Sequence, residues 1–62
     1  MKILTNKDIT EPGQYIHRQQ EGFEWALVEF DKDMNHEYKS VYSDWRKKHI
    51  SEYTEREWLK LP

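Results

Sequence analysis

Apolar positions first gather at Ile3-Leu4 and at Ile9, on either side of the polar stretch Thr5-Asn6-Lys7-Asp8, which reads as a turn or a short first element. Glu11-Pro12-Gly13-Gln14 then predicts a type II turn, because proline presets φ at the second position and glycine accepts a positive φ at the third. From Tyr15 to Gln19 the chain reads as extended, and Gly22 marks a tight hairpin. Phe23 to Phe30 is the strongest apolar run. In an extended chain Phe23, Trp25 and Leu27 share one face and Ala26, Val28 and Phe30 the other, which predicts a central strand covered on both sides.

Asp31-Lys32-Asp33-Met34-Asn35 is a polar loop that starts a second hairpin, with Tyr38 to Ser43 as the third strand. Residues 36–53 admit two periods. Tyr38, Val41, Tyr42, Trp45 and His49 recur at helical spacing, and Asn35 is suited to cap such a helix. The tyrosine and valine content with Ser40 and Ser43 favours a strand to about Ser43, followed by a turn or short helix from Asp44. Thr54-Glu55-Arg56-Glu57 matches a capping box ahead of Trp58-Leu59, while the alternation of Trp58 to Leu61 equally suits a closing strand. Pro62 stops either element. The predicted class is a small β-rich α+β fold, a three- to four-stranded antiparallel meander sheet with room for one short helix after residue 43.

Length and composition narrow the means of stabilisation. A chain of 62 residues forms one domain, residues 1–62, and buries only about 60% of the surface its unfolded form exposes. It has no cysteine, so disulfides are excluded and a reducing compartment is expected. Aromatic rings are the remaining resource, each able to bury roughly 150–250 Å². Three tryptophans, four tyrosines and two phenylalanines supply them, with Trp25 and Trp58 expected in the core. No stretch approaches the ~18 apolar residues of a membrane span and the first residues do not resemble a signal peptide, so a cytoplasmic protein without membrane contact is expected.

Net charge is −2, which gives no strong field toward nucleic acid or membrane. Residues 1–31 carry three basic and six acidic side chains, and residues 32–62 seven basic and six acidic. The compact basic run is Arg46-Lys47-Lys48, with Trp45 at its edge and Tyr42 nearby. Three cations beside an aromatic are suited either to phosphates with a stacked base or to a protein surface. Otherwise they make a solvated turn anchored by Trp45.

Catalytic and metal chemistry are poorly provided. Asp31-x-Asp33-x-Asn35 begins like a calcium loop, but the sixth position is His36 rather than glycine and the twelfth is Tyr42 rather than glutamate. His17, His36 and His49 lack the i, i+3 or i, i+4 spacing of a zinc site. Ser40, Ser43 and Ser51 with His49 and Asp44 offer the residue types of a hydrolase triad, without a glycine-rich elbow or the length to build a cleft. Glu55 and Glu57 read as a solvated or capping pair. No enzymatic activity, cofactor or metal is expected.

Pro12-Gly13-Gln14-Tyr15, Glu24-Trp25-Ala26-Leu27-Val28-Glu29 and Glu57-Trp58-Leu59-Lys60-Leu61-Pro62 together resemble small proteins of unknown function encoded by phages and prophages, over residues 11–62. The shared elements are a PG-x-Y entry, a W-x-x-V-E strand and an EW-x-K-x-P end. The resemblance implies a β-rich accessory protein that engages or inhibits a host protein, and it carries no catalytic residues. The expected function is therefore non-enzymatic protein binding, with Tyr42, Trp45, Arg46, Lys47 and Lys48 as the candidate partner surface. A nucleic-acid-binding β module using residues 46–48 is the alternative, and homo-oligomerisation that completes the core is a third reading.

Overall fold

The computed structural model describes residues 2–42 and 44–62. Among these, the chain forms five strands in two antiparallel sheets: β1 Gly13–Arg18, β2 Ala26–Phe30, β3 Asn35–Lys39, β4 Trp45–His49 and β5 Glu57–Lys60. Two single 3-10 turns, Asn6–Asp8 and Ile50–Glu52, are the only helical elements among the described residues. One sheet has the order β2-β1-β5, and the other is the β3–β4 hairpin.

The central strand is β1. Tyr15 lies opposite both Val28 of β2 and Lys60 of β5, and His17 opposite both Ala26 and Trp58. Successive side chains of a strand point to opposite faces. On the inner face Tyr15, His17, Val28, Phe30 and Trp58 are therefore buried, and Ile9 joins them from the N-terminal segment. Leu4 adds a further bridge beside β5, exchanging both backbone hydrogen bonds with Trp58 at 2.8 and 3.1 Å.

Two expectations are corrected here. The Phe23–Phe30 run is not a central strand covered on both sides. Only Ala26–Phe30 is strand, it lies at the sheet edge, and Leu27 is 65% exposed. The cause is long-range: β5 arrives from the far end of the chain to take the second edge of β1, a pairing that local periodicity cannot register. Phe23 and Trp25 sit in the preceding loop, where Trp25 is half-buried beneath the Arg18 guanidinium, 4.3 Å from the ring centroid.

The second correction concerns the meander and the helix after residue 43. The polar loop does turn the chain, through a three-residue connection closed by Asp31 N–H to Asn35 O (2.8 Å). Met34 takes φ +62°, the left-handed residue that follows the turn in such loops. Beyond that closing pair β3 leaves the edge of β2 and pairs with β4, from Asn35 opposite His49 to Lys39 opposite Trp45. Residues 45–49 are consequently strand. The helical tendency survives only as the Ile50–Glu52 turn, capped when His49 Nδ1 accepts from Ser51 N–H at 3.0 Å. Ser43, expected to end the third strand, lies outside the described residues.

Gly13 has a positive φ (+133°), but Glu11–Gln14 is not the expected type II turn: the chain only bends at Glu11 and is already strand β1 from Gly13. The Thr54–Glu57 capping pattern leads into a strand, not a helix, because Trp58 is claimed on one side by β1 and on the other by Leu4.

Candidate interaction surface

The expected binding residues all fall on the β3–β4 hairpin. In β4, Arg46 and Lys48 share one face with their cross-strand partners Tyr38 and His36, while Trp45 and Lys47 share the other with Lys39 and Glu37. Alternation thus divides the basic run instead of presenting three cations together.

The face carrying Arg46 and Lys48 turns toward the body of the protein. His36 stacks on Tyr53 (ring centroids 5.7 Å apart, planes at 22°), and its Nε2 lies 2.7 Å from the Tyr53 hydroxyl. The Lys48 ammonium sits 4.2 Å from the centroid of the Tyr53 ring, and Arg56 approaches the same ring at 5.7 Å. Burial raises the Tyr53 phenol above its ordinary pKa, with Arg56 opposing the shift, so the hydroxyl stays protonated near neutrality. Lys48 therefore serves as packing for an aromatic layer. Arg46 and Lys47 are exposed, and Lys47 lies opposite the acidic Glu37.

At the far end of the hairpin Ser40 N–H donates to Asp44 O at 2.8 Å, and Val41 and Tyr42 lie in a turn. This end projects large apolar groups into solvent: Val41 is 92% exposed, Tyr42 80% and Trp45 68%. Tyr38, on β3, adds a further partly exposed ring. Tyr42 and Trp45 were legible as candidates in the sequence. Val41 was visible only as part of an ambiguous helical pattern.

The three histidines are held apart by separate local roles. His17 is buried, stacked on Trp58 at 4.7 Å, with Nδ1 accepting the Arg56 Nε–H at 2.9 Å. Burial, reinforced by the positive charge of Arg56, lowers its pKa from 6.5 to about 4. His36 packs on Tyr53 and His49 caps a turn. Among the described residues no group of three or more His, Asp or Glu converges as a metal site. In the calcium-like loop, Asp31 Oδ1 instead accepts the backbone N–H groups of Asp33 (2.9 Å) and Asn35 (3.1 Å), which hold its carboxyl below the usual range. Ser51 Oγ does meet His49 Nδ1 at 2.8 Å, within the cap, while Asp44 stands at the opposite end of β4. Ser43 lies outside the described residues.

Two further surfaces escaped the sequence reading. Where β3 departs from β2, an open cleft of about 570 Å³ forms, walled by Leu27, Glu29 and Asp31 on one side and His36, Glu37 and Tyr38 on the other. On the outer face of the three-stranded sheet, Leu27, Ile16 and Leu59 lie in register as one apolar row. No helix among the described residues is long and apolar enough to cross a membrane. Comparison with protein-family models, with curated proteins and with solved structures gives no match.

Proposed function

We propose that this chain is a protein-binding module whose contact surface is the exposed end of the β3–β4 hairpin. The observation that carries the reading is the exposure of Val41, Tyr42 and Trp45, at 92, 80 and 68%, along one short turn and the start of one strand. Large aromatic groups of this kind dominate binding energy once a partner covers them. A core this small has apolar residues to spare only if they serve something else. The flanking Arg46 and Lys47 supply a polar rim suited to orienting a partner carrying acidic groups.

The division of the basic run supports a protein over a nucleic acid. Lys48 is engaged with Tyr53, and Lys47 faces Glu37, so a phosphate backbone meets no continuous line of cations. The phage-type accessory role implied by the sequence resemblance makes the proposed partner a host protein.

The test is the double variant Tyr42→Ser/Trp45→Ser. Both side chains are exposed, so its melting temperature stays near that of the parent. Affinity capture from the native host retains a partner with the parent and loses it with the variant, and the parent complex persists at raised salt. Capture unaffected by the double substitution defeats the proposal. Retention of nucleic acid, released steeply by salt, replaces it with the nucleic-acid reading.

A further inference from the structure

We infer that the cleft between β2 and β3 is a strand-addition site for an extended, lysine- or arginine-bearing peptide segment of a partner protein. The inference stands apart from the hairpin-end surface, since it concerns a different face and a different kind of contact.

The backbone hydrogen bonds fix which groups face the cleft. Leu61 N–H donates to Gln14 O at 2.9 Å, so Gln14, Ile16 and Arg18 direct their main-chain groups to β5 and Gly13, Tyr15 and His17 direct theirs to β2. Their partners Phe30, Val28 and Ala26 answer from β2. By the two-residue alternation, Leu27 and Glu29 then point their N–H and C=O groups away from the sheet, toward β3. Asp31 N–H confirms the direction, because it points the same way and is the group that closes the loop onto Asn35. β2 is an edge strand of its sheet, so the four main-chain groups of Leu27 and Glu29 open into the cleft without a strand beside them. Such an edge is a template for another chain.

Three features say what kind of segment fits. First, the cleft is open to solvent along Leu27 and Glu29, with a volume of about 570 Å³, and the Asp31–Asn35 hydrogen bond closes only its inner end. Second, its walls carry Glu29, Asp31 and Glu37 and no lysine or arginine. Asp31 is held in its charged form by two backbone N–H groups. Glu29 and Glu37 belong to neither ion pair found among the described residues, which are Arg18–Glu57 and Lys60–Glu11; Lys47, across from Glu37 on β4 and near Asp31, is the cation that offsets part of this acidity. Third, the opposite face is apolar, because Val28 and Phe30, which also line the cleft, alternate with Leu27 and Glu29 and point to the inner side of the sheet. Main-chain hydrogen bonds supply the affinity in this mode, and alternate side chains supply the choice of sequence. The fitting segment is thus extended, apolar at one set of alternate positions and cationic at the other.

The probe is the blocked hexapeptide Lys-Val-Lys-Val-Lys-Val, compared with Glu-Val-Glu-Val-Glu-Val, titrated into the isotopically labelled full chain. The cationic peptide is expected to give saturable amide shifts centred on Leu27 and Glu29 and to slow hydrogen exchange at both amides at least tenfold. The acidic peptide is expected to bind at least tenfold more weakly. Leu27→Pro removes an N–H that no strand inside the protein uses, a substitution that edge strands tolerate, and abolishes the effect. Glu29→Lys/Glu37→Lys, which leaves the β2 backbone untouched, also abolishes it and guards against a folding defect in the proline variant. The Tyr42→Ser/Trp45→Ser chain binds the cationic peptide as the parent does, so failure of one surface is separable from failure of the other. No saturable shift up to 1 mM peptide, shifts centred on residues 41–49, or equal binding of the two peptides overturns the inference.

Discussion

Asn6 Oδ1 accepts the indole N–H of the fully buried Trp58 at 2.6 Å and, on the same atom, the backbone N–H of Arg56 at 3.0 Å. Its amide nitrogen donates in turn to the carbonyls of Tyr53 (3.1 Å) and Thr54 (2.9 Å). One side chain from the first 3-10 turn thereby satisfies four polar groups in the segment that leads into β5. It ties together residues about fifty positions apart in sequence.

Asn6→Ala strands a buried indole donor and leaves the 53–56 backbone to find water. Each unsatisfied buried group costs about 1–3 kcal/mol, so the expected loss is about 2–4 kcal/mol in urea-induced unfolding. Asn6→Asp retains the acceptor and is expected to lose less. Equal stability of the alanine variant and the parent would show that the hub carries no load.

Trp58 and Trp25 are expected to separate cleanly. Trp58 contacts Tyr15, Phe30, His17 and Tyr53 and has no exposed surface. Truncating a buried tryptophan typically costs about 3–5 kcal/mol, comparable to the roughly 3–9 kcal/mol available to a chain this size. Trp58→Ala should be largely unfolded at 25 °C. Trp25→Ala loses one half-buried ring and a cation–π contact, for about 1–2 kcal/mol, and should still melt cooperatively. Circular dichroism of the two variants decides the matter.

The contrast between these tryptophans shows what the sequence could reveal. Both stand in apolar runs, and the longer run around Trp25 gives the stronger local signal. What buries Trp58 is the arrival of β1 and Leu4 on its two sides, contacts spanning forty or more residues. Local chemistry was readable: the glycine at a positive φ after Pro12, the polar loop at 31–35, and the dominance of strand all follow from residue types. The hairpin-end surface was partly readable too, since Tyr42 and Trp45 stand beside the basic run. The division of that run was not, because it depends on residues 45–49 being strand, and the 3.6 and 2.0 periods compete over that segment. The Asn6 hub and the β2–β3 cleft left no local trace, since both arise from where distant strands meet.

Within the hairpin, neighbouring lysines should behave differently. Lys48 covers the Tyr53 ring, so Lys48→Ala is expected to cost about 1 kcal/mol and to raise the exchange rate of amides around Tyr53. Lys47 is exposed opposite Glu37, and Lys47→Ala should change stability by less than about 0.5 kcal/mol. A larger loss at position 47 than at 48 would mean that the two faces of β4 are assigned the wrong way round.

The buried His17 gives the fold a dependence on pH in a window of its own. Burial, then the nearby positive charge of Arg56, holds its pKa at about 4, against 6.5 when unfolded. Its Nδ1 is also already occupied as an acceptor from Arg56, a bond that only the neutral ring can make. Above pH 6.5 both states carry a neutral imidazole and the group has no effect on stability. As pH falls from 6.5 toward 4 the unfolded chain takes up a proton that the folded chain refuses, and stability declines. Below about 4 both states are protonated and this contribution levels off. A depression from 6.5 to about 4 corresponds to a loss on the order of 3 kcal/mol across the window, at 1.36 kcal/mol per pKa unit. His17→Asn keeps an acceptor for Arg56 without a titrating ring. It should be less stable at pH 7, having lost the stack on Trp58, but its urea midpoint should hardly move between pH 6.5 and 4.5. The carboxyls of Asp8 and Asp31, held low by backbone N–H groups, add their own loss only as pH falls through the carboxylate range. A parent protein whose stability is flat from pH 7 to 4.5 would place a proton on His17 in the folded state and contradict the Arg56 hydrogen bond.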